Sequence, residues 1–343
     1  MFLDQKKTLW SAASDETLLK LRFGSLKLRI EDTPLMDYVE KLYDELEKKG
    51  LKYFKPHVWF SDEWFTPDGV PGIAVPFYLG HKRLAKLEES QIYEVEGGAP
   101  RSFMKLLRHE CGHAIDNAYQ LRRRRKRQSI FGNSTEKYDD YYSAKPFSRK
   151  FVIHLDSWYS QSHPDEDFAE TFAVWLTPRS KWRTRYQGWG AYKKLEYIDE
   201  LMSEIGSNRP LVRNKIRDHS LSSIRKTLGH HYEQKREHYG SEIPDFYDQD
   251  LLRIFATSDE SPDAVRAAVF IRGIRREVRR LVGRWTGAYQ YTIDQVIFEI
   301  IDRCEELKLR MKSDTESSKN NFLVMLTLQT VNHLNTGNHR LVR

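Results

Sequence analysis

His109, Glu110 and His113 form the pattern H-E-x-x-H inside a segment that reads as one helix. Residues four apart share a helical face, so the two imidazoles can reach one metal ion while Glu110 points at a water bound to it. This is the donor pattern of a hydrolytic zinc site, which needs one more protein ligand and an open position. Further along stands the acidic stretch His163-Pro164-Asp165-Glu166-Asp167-Phe168-Ala169-Glu170. Glu166 and Glu170 are again four apart on a predicted helix. One carboxylate can therefore bind metal while the other reaches a ligand histidine from behind.

Spacing removes some alternatives. A longer H-E-x-x-H-x-x-G-x-x-H pattern would need Gly and His where the chain has Asp116 and Tyr119. His163 competes for the third ligand position, but beside Pro164 at a helix start it reads as a cap or loop residue. Cys111 turns away from the metal face and reads as a small buried hydrophobe, with Gly112 permitting close packing against a neighbouring element. Asp116, three after His113, is placed to orient a ligand or a loop.

The octapeptide His109-Glu110-Cys111-Gly112-His113-Ala114-Ile115-Asp116, followed by the run from Tyr159 to Phe172 with Tyr159, Glu166 and Phe168-Ala169-Glu170, resembles a bacterial family of zinc-binding metallopeptidases of the gluzincin type. It is also similar to the catalytic domain of anthrax lethal factor, in which the same order recurs. The resemblance covers about residues 55 to 180. It implies His109, His113 and Glu166 as zinc ligands, Glu110 as general base, Glu170 as the carboxylate behind a ligand, and Tyr159 as the donor that stabilises the oxyanion.

The expected activity is that of a zinc-dependent metallopeptidase with Zn2+ as cofactor. Zinc would lower the pKa of bound water and polarise the scissile carbonyl, and Glu110 would carry the water proton to the leaving amine. Two alternatives share the sequence evidence. One is a zinc amidase acting on a non-peptide amide, for which the water chemistry is the same. The other is a basic module binding nucleic acid or protein, with a non-catalytic zinc site, for which no nucleic-acid motif accompanies the charge.

The elements that must position these residues suggest an α+β fold: a zincin-like catalytic domain over residues 1–190 and a helical C-terminal region over 191–343. Residues 19–30 alternate as a β-hairpin about Gly24-Ser25. Pro34 and Gly50 bracket a helix whose apolar positions are Leu35, Val39, Leu42, Tyr43 and Leu46. Strands are expected at 57–60, 73–79 and 151–155. Pro76 makes the second an edge strand along which a peptide substrate could lie, with His81 ending it. The helix bearing His109 should run from about Ser102 into the basic run at 122–127. Residues 130–150 read as an irregular loop.

Composition sets the outer limits. The chain of 343 residues has 39% hydrophobic and 13% aromatic content, so its core leans on Phe, Tyr and Trp. Two cysteines exclude a disulfide framework. With no apolar run of membrane-spanning length and no signal peptide at the start, a cytoplasmic location is expected and a membrane partner is not. The net charge of +7 is concentrated at Arg122, Arg123, Arg124, Arg125, Lys126 and Arg127 and on a later helix with Arg272, Arg275, Arg276, Arg279, Arg280 and Arg284. Such runs are ordinarily solvated, but on a helix continuing from the zinc site the first would favour acidic polypeptide substrates.

Overall fold

The computed structural model describes residues 10–138, 141–142, 145, 148–155, 158–239, 248–335 and 341–342. The chain divides into two compact units, Met1–Gln91 with Val95–Glu233, and Ile92–Glu94 with Gln234–Arg343.

The first unit is mixed α and β. After a short helix α1 (Asp15–Leu19), helix α2 (Leu35–Lys48) buries Leu35, Val39, Leu42 and Leu46 on one face, as its apolar spacing requires. Gly50 follows it in the left-handed region at φ +87°. The expected hairpin does not form. Phe23–Leu26 and Ile30–Asp32 are 3-10 turns that send Phe23, Leu26 and Ile30 into the core, so the alternation reported burial without strand pairing.

Strand β1 (His57–Ser61) pairs in parallel with β2 (Gly72–Pro76), from His57 opposite Gly72 to Ser61 opposite Pro76. β2 is not a free edge at its centre. The amide of Ala74 donates to the carbonyl of Phe65 at 2.9 Å, and every residue of the strand is buried. Residues 77–80 form a 3-10 turn instead of continuing the strand.

Helix α3 (Lys82–Ile92) leads to α4 (Pro100–Tyr119), which carries the H-E-x-x-H motif. Pro100 at the first position suits a helix start, where its missing N–H costs nothing. The helix stops at Tyr119, because Gln120 adopts the left-handed conformation at φ 52°. The basic run therefore lies on a 3-10 turn and a separate helix α5 (Arg125–Phe131), not on an extension of α4. The expected strand at 151–155 is absent. Its donors go to side chains instead: Ile153 N–H to the Tyr186 hydroxyl at 3.1 Å, and Leu155 N–H to Glu170 at 2.8 Å.

Helix α6 (Pro164–Leu176) ends at Thr177-Pro178 as expected and buries nearly every side chain, packing along α4. Next come the single turn α7 (Trp182–Arg185) and helix α8 (Gly190–Ile205), which covers α6 with Leu195, Ile198, Leu201 and Met202. The unit continues to Glu233, beyond the expected boundary at 190. Residues 211–219 are tied to it by polar bonds that leave no periodicity in sequence. Leu211 and Val212 N–H donate to the Ala118 carbonyl, Trp59 Nε1 donates to the Asp218 carbonyl, and Ser61 Oγ donates to the His219 carbonyl.

The division falls within α9 (Leu228–Tyr239). The second unit is helical: α10 (Asp248–Ile254), α11 (Ala267–Thr286), α12 (Gln290–Glu306) and α13 (Thr315–Asn335), with the two-residue strands β3 (Phe255–Ala256) and β4 (Arg310–Met311) paired antiparallel. Ile271, Val278, Val282, Ile293, Ile297, Ile300 and Phe322 belong to its core. The arginines of α11 are partly structural. Asp294, fully buried, accepts from Arg275 Nε at 2.7 Å and from Arg279 at 3.0 Å, and Arg272 pairs with Glu305. Among the described residues no helix is long and apolar enough to cross a membrane.

Candidate metal centre

His109 and His113 project from one face of α4 towards Glu166 on the first turn of α6. His109 Nε2 and His113 Nε2 lie 3.2 Å apart, and Glu166 Oε2 stands 3.0 Å from the first and 3.1 Å from the second. Two ligands on a tetrahedral zinc, each about 2.0–2.1 Å from the metal, are separated by roughly 3.3 Å. The three atoms thus already have the mutual spacing of a metal's coordination shell, and together they could hold one ion. Two imidazole nitrogens facing each other across a carboxylate oxygen are also a poor arrangement without a shared cation or proton.

Glu170 takes a different place from Glu166. One of its oxygens lies 2.9 Å from His109 Nδ1, and the other accepts the Leu155 amide at 2.8 Å. With Nδ1 bonded to that carboxylate, the imidazole carries its proton there and leaves the Nε2 lone pair for the metal side. The third donor of the candidate cluster is Glu166, and Glu170 stands behind His109.

Electrostatics follow the geometry. Burial alone would lower the pKa of His109, but its bonds to Glu166 and Glu170 overcome this and raise it well above the usual value. His113 is raised in the same way, mainly by the charge of Glu166. Burial would raise Glu166, yet the two histidines hold it well below the ordinary carboxylate range, and Glu170 is lowered chiefly by its bond to His109.

Glu110 lies between His109 and His113 on α4, and its Oε2 is buried with no hydrogen-bond partner among the described residues. An isolated carboxylate oxygen in such a place is costly unless a water or substrate group completes it. Tyr159 sits in a 3-10 turn (Tyr159–Gln161), held where Ser160 Oγ donates to the Val152 carbonyl at 3.0 Å. Its ring centroid is 5.6 Å from that of His109.

α4 and α6 can come this close because of Gly112, where a Cβ would meet Ala169 Cα at 2.7 Å. Cys111 is fully buried, and burial pushes its thiol pKa well up. His163 caps α6: its Nδ1 accepts the Asp165 amide at 3.1 Å and its Nε2 donates to the Glu136 carbonyl at 3.0 Å, so both nitrogens are used away from the candidate cluster. His81 likewise caps a turn, with Nδ1 accepting the Arg83 amide.

The bonds of Asp116 run to the basic segment. One oxygen accepts the Arg122 amide at 2.7 Å and the other pairs with Arg127 at 2.8 Å. Arg127, fully buried, also pairs with Asp165 at 2.6 Å, which joins the end of α4 to the start of α6 beside Glu166. Arg122 bonds Asp68, Arg124 bonds Glu204 and Lys126 bonds Glu200. The basic run is therefore largely neutralised at its own position and does not extend rigidly from α4.

Sequence reasoning missed Arg127, Asp165 and Tyr138. Nothing set Arg127 apart from the five basic neighbours of its run. Tyr138 was one of several loop tyrosines, yet its hydroxyl donates to Glu166 Oε1 at 3.1 Å.

Residues 91–233 match the protein family described as "Putative zinc-binding metallo-peptidase". The match spans α4 and α6, with His109, Glu110, His113, Tyr159, Glu166 and Glu170. No curated protein and no solved structure matches the chain.

Proposed function

We propose that this chain is a zinc-dependent peptidase of the gluzincin type, with His109, His113 and Glu166 as ligands and Glu110 as general base. The observation that carries this reading is the unpartnered, buried Oε2 of Glu110 beside a preformed set of three donor atoms. A purely structural zinc site is ordinarily closed by four protein ligands and has no use for such a carboxylate. Bound zinc would supply a Lewis acid that lowers the pKa of water and polarises the scissile carbonyl.

The protein's own groups do the rest. Glu110 takes a proton from the attacking water and delivers it to the departing amine nitrogen. Glu170 fixes the His109 ring and its tautomer through the 2.9 Å bond, so the ring need not reorganise during turnover. The Tyr159 phenol donates to the carbonyl oxygen as negative charge develops there, a role supported by the placement of its ring against His109. The substrate is a polypeptide. A cytoplasmic site of action fits two buried free thiols. A preference for acidic substrates through the basic run is not part of the reading, since Arg122, Arg124, Lys126 and Arg127 are already paired with carboxylates.

The test is Glu110→Gln, measured for zinc content and for hydrolysis of a peptide library. The amide keeps the shape but cannot accept a proton, so zinc should stay while hydrolysis falls by about a hundredfold to ten-thousandfold. Undiminished hydrolysis by this variant would remove the mechanism.

A further inference from the structure

The segment between α5 and the start of residue 139 is bound to the first turn of α6 at every second residue. Gly132, at φ +106°, is pressed against Pro164, so that a Cβ there would meet the proline ring at 2.9 Å. Ser134 Oγ donates to Asp165 at 2.5 Å and accepts from the buried Arg127 at 2.7 Å. The Glu136 carbonyl accepts from His163 Nε2 at 3.0 Å. Tyr138 stacks on the His163 ring with centroids 3.6 Å apart and planes at 20°, and its hydroxyl reaches Glu166 Oε1. A turn from Asn133 to Glu136, closed by the Glu136 amide on the Asn133 carbonyl at 3.0 Å, delivers Tyr138 to this place.

We propose that Tyr138 is a positioning residue for the metal ligand Glu166, occupying Oε1 so that the carboxylate presents Oε2 alone to the ion. This rests on the zinc-site reading above. A carboxylate can bind a metal through one oxygen or both, and a hydrogen bond to one oxygen favours the single-oxygen mode while lowering the cost of holding the anion in a buried place. Oε1 at 3.1 Å from the phenol and Oε2 at 3.0 and 3.1 Å from the two imidazole nitrogens divide the carboxylate's capacity in that way. Single-oxygen binding leaves the metal's fourth position open for water, which a hydrolytic site requires. The phenol is held by geometry that does not depend on metal. His163 is fixed at both ring nitrogens, and Tyr138 is fixed on His163. Although Tyr138 is 44% exposed, its hydroxyl is directed inward to a buried ligand.

The experiment uses the full chain and two variants, Tyr138→Phe and Tyr159→Phe. Zinc affinity is measured by competition with a chromophoric chelator, and cobalt(II) is substituted as a spectroscopic probe of coordination. Tyr138→Phe keeps the stack on His163 and removes only the hydroxyl, so folding should be retained, as a thermal midpoint of the metal-free protein will check. Zinc affinity should fall about tenfold or more, within the usual range for loss of a group supporting a ligand. The cobalt absorption should weaken as Glu166 becomes two-oxygen and the coordination number rises. Tyr159→Phe should leave both readouts at the parent value. An unchanged affinity or an unchanged cobalt spectrum in Tyr138→Phe overturns the proposal while leaving the zinc site itself intact. A parent chain that binds no zinc overturns both readings.

Discussion

A methyl group added to Gly112 would stand 2.7 Å from Ala169 Cα and 3.0 Å from the Ala169 carbonyl oxygen. Both neighbours are backbone, so neither can swing aside, and the two helices that carry the metal donors would have to separate. Helix propensity alone would favour alanine over glycine by about 1 kcal/mol. Forcing extra volume into a packed contact typically costs about 1–3 kcal/mol. Gly112→Ala should therefore lower the denaturation midpoint and also weaken zinc binding, because Glu166 moves with α6. A stabilised variant with parent zinc affinity would show that α4 and α6 have slack at this point.

Glu166 and Glu170 are chemically alike and one helical turn apart, yet only Glu166 touches both imidazoles on their inner side. Glu166→Ala should abolish stoichiometric zinc, as should His109→Ala or His113→Ala. Glu170→Ala should keep zinc with an affinity reduced roughly 10- to 100-fold, since it removes only the group behind His109. Metal analysis after dialysis separates the cases. Zinc lost from Glu170→Ala but retained by Glu166→Ala would mean the roles are exchanged.

Arg127 should be the most sensitive position of the basic run to substitution. It is fully buried and pairs with Asp116 and Asp165, whose carboxylates would be left without it in a place of little solvent. Removing one partner of a buried ion pair ordinarily costs about 3–5 kcal/mol. Arg127→Met should thus destabilise strongly, while Arg123→Gln and Arg125→Gln, both exposed, should stay near the parent. Chemical denaturation of the three variants decides the matter, and equal midpoints would return Arg127 to the solvated surface.

The helices of the site were legible because their signals are local. Pro164 marks a start, Thr177-Pro178 marks a stop, and spacing by four sets both histidines and both glutamates on common faces. What escaped was decided by polar bonds between distant segments. The 3-10 turns at Phe23 and Ile30 bury apolar residues just as a hairpin would, so alternation could not tell them apart. The basic run looked like a continuation of α4 because no proline or glycine interrupts it, yet Gln120 breaks the helix and the Asp116 carboxylate takes the Arg122 amide. Tyr138 acquires its place only because His163 and Asp165 hold the preceding loop, a relationship across the chain that no spacing encodes.

Protons and zinc should compete for the same donors over an unusually high pH range. Zinc requires His109 and His113 to be neutral at Nε2. In the metal-free protein both histidines hold their protons above the ordinary value of 6.5, because Glu166 and, for His109, Glu170 favour the charged ring. Apparent zinc affinity should therefore begin to fall at a higher pH than free histidine would dictate, and fall steeply once both rings take protons. Glu166, held well below its ordinary 4.5, remains an anion throughout and adds no competition of its own. The sign for metal-free stability is opposite. Raised histidine values in the folded state contribute stability that is complete below about 6.5 and is lost as pH rises through the folded values. Glu166→Gln removes the anion responsible, so the gap in metal-free stability between parent and variant should be wide near pH 6 and narrow towards pH 9. Zinc competition titrations of the parent across that range, paired with denaturation of both metal-free proteins, measure the two trends. A zinc affinity that falls only below the ordinary histidine range, with a stability gap independent of pH, would show that Glu166 does not hold the protons on these rings.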